Sequence, residues 1–433
     1  MTAKLASLMV AIATLITSFF SMFICVEAPE DKTDFTPVVR FAVCSDSHIA
    51  TMGDKSCSRI VKALKLAYAV SDSDKEYNQL DAFLIAGDIS DKGWKSQFCG
   101  FKAVTDLFLR DETTLVPILA KSHDGYTKAK GTLEYFSELM GCSNDIHYII
   151  NGYHFIALST SKIVEDQYSE YQRQWLDEQL AEAVKDDATK PIFVMHHEHN
   201  TGTVYGSSEI DGWGIDYFND ILAKYPQVVD FSGHSHYPLN DPRSIWQGDF
   251  TAIGTGSLAY MEFTVDETRK IHPTGYQQEA QFWIVEVDAN NSIRLRGIDL
   301  TEAKVLCEYI INNPADKAQR QFTPEQQAAK SKAPVFDDGA KLKITKSFGN
   351  VTIKLPVAKS TDGMPIFLYR AYVYDADGNE VASQWALPKY YSYTQKDNIK
   401  IKIKDLKKGK YTVKVVAETA YGVQSQPLIG TIG

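Results

Sequence analysis

Between Val38 and Thr301, short and continuously apolar runs alternate with longer amphipathic stretches. Each run is rich in Val, Ile, Leu or Phe and ends in polar residues or Gly. Continuous apolar runs suit strands that are buried on both faces, so the alternation predicts an α/β domain. The predicted strands are Val38–Cys44, Ala82–Ala86, Leu115–Ala120, Tyr153–Ser159, Ile192–Met195 and Val228–Phe231, and the predicted helices are Ser58–Val70, Phe98–Arg110, Leu133–Met140 and Tyr168–Val184.

Three later strand patterns, around Phe250–Ile253, Gln281–Val287 and Ser292–Arg296, follow one another without helices. They predict a second sheet that packs on the first, in a domain spanning residues 36–305. Residues 306–334 are more polar, and the stretch from Thr323 to Gln326 has the residues of a capped helix start. We therefore predict a linker that contains a short helix.

From residue 335 to residue 433, apolar and polar residues alternate with a period of two. Asp377-Gly378 lies between two such stretches and is typical of a hairpin turn. About 100 residues of short strands without helices predict an all-β sandwich. The stretch from Leu406 to Val413 resembles the tyrosine corner of fibronectin type III domains, and this resemblance implies a fold but no chemistry.

An apolar segment from Leu5 to Ile24 follows Lys4 and is almost free of charge. Such a segment is typical of an export signal or of an uncleaved membrane anchor, and a length of about 20 residues is long for the first and just enough for the second. Residues 1–28 therefore predict an extracellular or periplasmic protein, or one attached to a membrane or cell surface through its N-terminus.

The formal net charge is −10, and no basic block stands out in the sequence. A nucleic-acid scaffold needs such a block to offset phosphate repulsion, so we expect no role of that kind. The six cysteines include no CxxC pair, which argues against a disulfide framework.

Seven of the ten histidines lie at or after the ends of the predicted α/β strands: His48, His123, His196, His197, His199, His234 and His236. The same stretches carry the carboxylates Asp46, Asp88 and Asp124. Because ligands of open α/β sheets bind at the carboxyl ends of the strands, these side chains are expected to converge on one edge.

The spacing of these residues suits metal ions. Asp46 and His48 stand two residues apart, as do His234 and His236, and each pair can chelate a cation. Imidazole with carboxylate favours Zn, Fe, Mn or Ni over Ca. With Asp88 the set suffices for two ions, and two ions about 3.5–4 Å apart can hold a bridging hydroxide and stabilise an in-line displacement at phosphorus.

The ordered motifs Asp-x-His, Gly-Asp, His-Asp, His and Gly-His-x-His, between Val38 and Thr301, resemble those of the calcineurin-like metallophosphoesterases. The resemblance implies a two-sheet core flanked by helices, an α/β-β/α sandwich, that hydrolyses phosphate mono- or diesters with two divalent ions, Mn, Fe or Zn. It also implies six metal ligands: Asp46, His48 and His236 at the first ion, His196 and His234 at the second, and Asp88 bridging both.

Other residues receive roles from the same resemblance. His123 would act on the leaving group as a general acid or contact the phosphate, and Asp124 would orient it. His197 is expected to point away from the ions, and His199 to be a loop residue.

This chain departs from the family pattern at two neighbouring residues, Lys121 and Ser122. Lys121 and Ser122 replace a Gly and an Asn whose amide oxygen binds the second ion in the family, so the second site could bind weakly, use a water in place of Asn, or be vacant. Lys121 also takes a position at which Gly permits unusual backbone angles. Asp91 stands where purple acid phosphatases, a related class, carry a Tyr ligand, so iron–tyrosinate chemistry is not expected.

Two functions stay open on the sequence. The first is an exported phosphoesterase, and the second is a surface binding protein with a catalytically impaired phosphatase-like domain. The reason for the second hypothesis is that Ser122 replaces the usual Asn ligand. The substrate is not determined. Thr201–Trp213 and Tyr126 follow ligand motifs, and they either stack a base or sugar or cover the core.

Overall fold

A computed structural model describes residues 26–29, 35–160, 167–207, 214–266, 268–347, 349–395 and 398–433. The chain divides into two compact units, the first of residues 1–239 and 244–322 and the second of residues 240–243 and 323–433. The predicted export signal or anchor lies outside the described residues as far as residue 25. Within the described ranges, no helix is both long and apolar enough to cross a membrane.

The first unit contains sixteen strands and five α-helices among its described residues. The strands are β1 (Pro37–Cys44), β2 (Ala82–Ala86), β3 (Thr114–Ile118), β4 (Asp145–Ile150), β5 (Tyr153–Leu158), β6 (Ile192–Met195), β7 (His199–Asn200), β8 (Gly214–Ile215), β9 (Val228–Ser232), β10 (Ile245–Gln247), β11 (Thr251–Gly254), β12 (Phe263–Val265), β13 (Thr268–Ile271), β14 (Gln281–Asp288), β15 (Ile293–Asp299) and β16 (Lys304–Ile311). The helices are α1 (Lys55–Ser73), α2 (Lys95–Phe108), α3 (Thr132–Met140), α4 (Glu170–Asp186) and α5 (Asn219–Leu222).

Two mixed six-stranded sheets form the centre of this unit, in the orders β16-β15-β14-β1-β2-β3 and β10-β11-β9-β6-β5-β4. The strands β1, β2 and β3 run parallel in the first sheet, and β5, β6, β9 and β11 run parallel in the second. Their carboxyl ends are the places where the predicted ligand motifs begin. All six strands predicted from the apolar runs are present.

Three apolar clusters separate four layers, which are two sheets in the middle and one layer of helices on each side. One cluster lies between the sheets and takes side chains from both, such as Phe41, Phe193 and Phe231. A second lies between the first sheet and helices α1, α2 and α3, and a third lies between the second sheet and helices α4 and α5. The two-sheet core flanked by helices is therefore confirmed.

The order of the strands corrects one prediction. The strands β14 and β15 do not build a second sheet but extend the first, because β14 pairs antiparallel with β1. Residues 306–311, predicted as the start of the linker, instead complete β16, which pairs antiparallel with β15. The second sheet instead gains two strands that the sequence pattern did not indicate, β4 antiparallel to β5 and β10 antiparallel to β11.

The second unit is all β apart from one short helix, α6 (Pro324–Lys330), which begins at the predicted cap Thr323. Its strands are β17 (Lys343–Ser347), β18 (Asn350–Pro356), β19 (Ile366–Tyr374), β20 (Glu380–Ala386), β21 (Asn398–Ile403), β22 (Tyr411–Thr419) and β23 (Leu428–Ile432). They form antiparallel sheets of three and four strands, in the orders β17-β18-β21 and β20-β19-β22-β23. The predicted hairpin at Asp377-Gly378 joins β19 and β20.

Candidate metal centre

Five loops of the first unit carry the predicted ligands. Asp46 and His48 follow β1, Asp88 follows β2, and the loop after β3 holds Ser122 and His123. From the second sheet, one histidine pair follows β6 and another follows β9. The loops are tied by backbone hydrogen bonds, for example from Asp46 N to Gly87 O at 3.1 Å and from His48 N to Asp88 O at 3.0 Å. The two sheets therefore present their carboxylates and imidazoles at one edge.

The first ligand group consists of Asp46, His48 and His236, whose ligand atoms lie within 4.8 Å of one another. His236 Nε2 stands 3.0 Å from Asp46 Oδ1 and 3.3 Å from His48 Nε2. Asp46 Oδ1 is buried and accepts no hydrogen bond from any described residue, whereas Oδ2 accepts from Ser45 and from His234 N. One buried carboxylate oxygen is thus left for a cation.

The second ligand group consists of Asp88, His197 and His234, also within 4.8 Å of one another. His197 Nε2 lies 3.3 Å from Asp88 Oδ2 and 3.1 Å from His234 Nδ1. The other ring nitrogen of His197, Nδ1, lies 2.7 Å from the Ala86 carbonyl, to which it can donate only when protonated. In the neutral ring the proton therefore stays on Nδ1, and the lone pair of Nε2 faces the group, an arrangement typical of metal-binding histidines.

The second ligand group contains His197, whereas the sequence predicted His196 at this place. His196 Nε2 lies 3.0 Å from Asp230 Oδ1 and 3.1 Å from Asn200 Nδ2, and its ring packs on Phe218. His196 is therefore outside both ligand groups, and the expectation that His197 points away was wrong. Ligation of an ion by any of these residues remains a proposal.

The alternation of side chains along β6 explains the exchange. Met195 belongs to the cluster between the sheets, and Val194 belongs to the cluster on the helix side. Continued past the strand, the same alternation places His197 on the side that faces the first sheet and His196 on the side that faces the helices.

Five residues of the two ligand groups have left-handed backbone conformations. Their φ angles are +52° at Asp46, +50° at His48, +48° at Asp88, +69° at His234 and +58° at His236. Such angles disfavour any residue but Gly, at a cost of order 1–3 kcal/mol each, and they cluster at functional sites. The loops therefore hold these side chains in place against a local backbone preference.

Two glycines of the motifs are required by space. A Cβ at Gly87 would stand 2.6 Å from His197 Nδ1, and one at Gly233 would stand 2.6 Å from Asp46 Oδ2. Any larger residue would push a ligand side chain out of position.

The electrostatics of the site favour positive charge. Burial opposes ionisation of Asp46, but the adjacent His236 and His48 hold its pKa well below the ordinary value. Burial likewise lowers the pKa of His234 to about 3, so this imidazole is neutral. His197 has a raised pKa despite its burial, because Asp88 stabilises the cation. The carboxylates thus draw protons toward the places that metal ions would occupy.

His123 lies at the rim of the two groups. Its ring packs edge-on against His48, with ring centroids 4.1 Å apart, and its Nδ1 lies 2.9 Å from the Asp91 carbonyl and 3.7 Å from the Asp91 carboxylate. With His48, Asp91 forms a third cluster of ligand atoms around it. Asp91 had been noted only as the residue that replaces a Tyr.

Asp124 does not orient the His123 ring as predicted. Its buried carboxylate accepts hydrogen bonds from Ser90 N and Ser90 Oγ, both at 2.8 Å, and from the backbone of Ile89 and Ala120. It therefore ties the loop after β2 to the loop after β3. Burial, followed by the charge of Asp88, raises the pKa of Asp124 to about 7.

Ser122 stands at the second ligand group. Its Oγ lies 2.6 Å from Asp88 Oδ1, to which it donates, and 3.3 Å from His197 Nε2. Lys121 is not among the residues with positive φ, so the expected backbone cost of replacing Gly there does not arise.

The structure describes only some of the residues that the sequence suggested for substrate binding. Residues 208–213 of the Thr201–Trp213 stretch lie outside the described residues. Tyr126 is exposed, and Lys92 Nζ lies 5.7 Å from its ring centroid. His199 is buried, with its ring nitrogens 2.8 Å from Ser232 Oγ and 2.7 Å from Ser235 Oγ, outside both ligand groups.

The exchange of the histidines leads to a direct test. If each ligand group holds an ion, we expect His197→Gln to bind one ion fewer than wild type and to lower any metal-dependent activity by more than about 100-fold, because the loss of a supporting residue alone costs 10–100-fold. His196→Gln should keep both ions. Metal analysis of the two variants under identical loading gives the answer, and loss of an ion from His196→Gln alone would restore the original assignment.

One family model matches part of the first unit. Residues 39–238 match the family model of the calcineurin-like phosphoesterases. This segment contains every residue of both ligand groups. No curated protein sequence matches the chain.

Several solved structures are similar to this chain at low identity. One is GAP50, described as the anchor in the inner membrane complex of Plasmodium, with 15% identity over 64% of this chain and 89% of that chain and a TM-score of 0.43. Another is purple acid phosphatase PPD1 from yellow lupin, with 13% identity over 65% of this chain and 54% of that chain and a TM-score of 0.46. A hypothetical protein from Pyrococcus horikoshii has 12% identity over 65% of this chain and 90% of that chain and a TM-score of 0.29.

Proposed function

We propose that the calcineurin-like phosphoesterase domain of this chain hydrolyses phosphate mono- or diesters with two divalent metal ions. The observation that carries the proposal is the pair of ligand groups, each with one carboxylate and two imidazoles within 4.8 Å. Carboxylate with imidazole suits Mn, Fe or Zn. The buried Asp46 oxygen and the fixed tautomer of His197 both fit a bound cation.

Each residue has a proposed part. Asp46, His48 and His236 would hold the first ion, and His197 and His234 would hold the second. Asp88 would bridge them, since its Oδ2 lies 4.0 Å from His48 Nε2 and 3.3 Å from His197 Nε2. When bound, two such ions activate water and stabilise the charge on the phosphoryl oxygens.

His123 would serve the leaving group. It is less buried than the ligands, and the Asp91 carbonyl engages its Nδ1, so Nε2 is the nitrogen that can give a proton to a departing oxygen. The Asp91 carboxylate lies 3.7 Å from the same Nδ1.

The test is a panel of phosphoesters assayed with added Mn²⁺, Zn²⁺ or Fe²⁺, together with metal analysis of the same preparation. The proposal requires about two equivalents of metal and metal-dependent turnover of at least one ester. A protein that binds no metal and hydrolyses none of the panel would instead be the binding protein with an impaired site.

Replacement of Ser122 tests the departure from the family pattern. We expect Ser122→Asn to bind the second ion more tightly and to be more active at low free Mn²⁺, because an amide oxygen adds a ligand next to Asp88 and His197. The difference should shrink at saturating Mn²⁺. The measurement is activity against free Mn²⁺ for wild type, Ser122→Asn and the matched control Ser122→Ala, and superimposable curves would show that this residue does not limit the site.

We further propose that the chain is exported, with its N-terminus as signal or anchor, and that the second unit is fibronectin type III-like. The first proposal is supported by the apolar segment before residue 25. The second is supported by the sheets of three and four strands and by Tyr411, whose hydroxyl donates to the Lys407 carbonyl at 3.1 Å, as in a tyrosine corner. Fractionation of cells that express the full chain would test the first.

A further inference from the structure

A buried arginine fixes two separated stretches of chain beside the first ligand group. Arg59, on α1, donates hydrogen bonds to the carbonyls of Leu258 and Ala259 and to those of Gln277 and Gln278, the last two at 2.9 and 3.0 Å. Because one planar guanidinium engages all four carbonyls, the backbone at Leu258 and Ala259 is held next to the backbone at Gln277 and Gln278.

Tyr260 follows the first pair of carbonyls and reaches the ligands. Its ring centroid lies 4.2 Å from that of His236 and 5.7 Å from that of His48. The backbone is fixed nearby, since Glu262 N donates to the His236 carbonyl at 3.1 Å. Tyr260 is only half-buried, whereas the core residues Tyr68 and Tyr153 are buried.

Two further rings extend this surface toward solvent. His272 and Tyr276 stack with centroids 4.3 Å apart and an interplanar angle of 17°, and each lies within 6 Å of the Tyr260 ring. The buried Glu262 holds His272 through a 2.8 Å contact to Nε2. We call Tyr260, His272 and Tyr276 the aromatic wall.

We propose that the aromatic wall is a specificity element that selects phosphoesters whose alcohol carries a planar aromatic ring, such as a nucleobase or an aryl group. The proposal rests on the proposed function, because the wall acts on a substrate whose phosphate lies at the ligand groups. Aromatic side chains beside a reactive centre offer flat surfaces for stacking, and here Tyr260 and Tyr276 are half-buried while His272 is exposed. A rigid wall also requires little ordering when the substrate binds.

The experiment compares esters that differ only in the ring. Adenosine 5′-monophosphate and ribose 5-phosphate have the same leaving oxygen, and so nearly do 2-phenylethyl phosphate and ethyl phosphate. With metal-saturated protein, we expect Tyr260→Leu to lower kcat/KM for the ring-bearing ester by about tenfold, the lower part of the range for stacking on one base, and to change the ring-free ester by less than about twofold. The pair that shows the effect distinguishes a nucleobase from an aryl group.

Matched variants separate stacking from support of His236. Tyr260→Phe keeps the ring and should keep the preference, while Tyr171→Leu, an exposed tyrosine on α4, should change neither ester. Tyr276→Leu, farther from the ligands, should lower the preference if Tyr260→Leu does not fold. Equal losses on both members of each pair, with reduced metal content, would overturn the proposal and make Tyr260 a support for His236.

Failure of the proposed function is distinguishable from failure of this one. If wild type hydrolyses no ester, calorimetry can still compare the affinities of the metal-loaded protein for adenosine 5′-monophosphate and ribose 5-phosphate, which shows whether the aromatic wall binds a ring. Tighter binding of the nucleotide that Tyr260→Leu abolishes would support the wall, and equal binding of both esters would overturn it.

Discussion

Asp88→Asn is expected to reduce phosphoester hydrolysis by more than about 100-fold, beyond the effect of losing a residue that only supports a ligand. Asp88 is buried, and its two oxygens face different partners, Ser122 and His123 N on one side and His197 on the other. A neutral amide offers one oxygen and no charge, so it cannot neutralise two cations while joining them.

The measurement is turnover together with metal content, across a range of added Mn²⁺. Asp72→Asn is a suitable control, because Asp72 pairs with Arg110 at the surface of the same unit. Turnover of Asp88→Asn close to wild type, with two ions retained, would refute the bridging assignment.

His123→Ala should lower turnover by about 10²–10⁴-fold on esters of poor leaving groups, which is the usual contribution of general acid catalysis. The loss should shrink on activated esters, whose leaving oxygen departs without a proton. His147→Ala, a histidine of β4 that contacts Gln179, is the matched control. Equal losses of His123→Ala on activated and unactivated esters would assign His123 to phosphate binding instead.

Strands such as β2 and β6 could be predicted because each is buried on both faces and reads as one apolar run. β4 could not, since its side chains are mostly half-buried and its burial pattern is irregular. The sheet to which β14 and β15 belong also escaped prediction. Antiparallel pairing with β1 depends on contacts between residues about 250 positions apart, as in the pair Arg40 and Glu286, and no local pattern encodes it.

The site could be predicted as a set of motifs but not in its detail. The choice between His196 and His197 depends on which face of β6 meets the other sheet, and that is known only once the layers are assigned. The role of Asp124 was predicted wrongly for a related reason, and the contact between Asp91 and His123 was not predicted. Sequence adjacency suggested that Asp124 serves His123, whereas the chain turns its carboxylate inward to Ser90 and brings the backbone of Asp91 to the ring.

The left-handed backbone at five ligand positions has a consequence for how this chain can change. A Gly at Asp46, His48, Asp88, His234 or His236 would relieve the local strain, which is of order 1–3 kcal/mol per residue. A chain under selection for stability alone would gain by such replacements, yet all five positions carry Asp or His. The folded domain bears this strain with or without metal, and ions that bind only the folded site would offset part of it, so a chelator should make the metal-loaded domain easier to unfold.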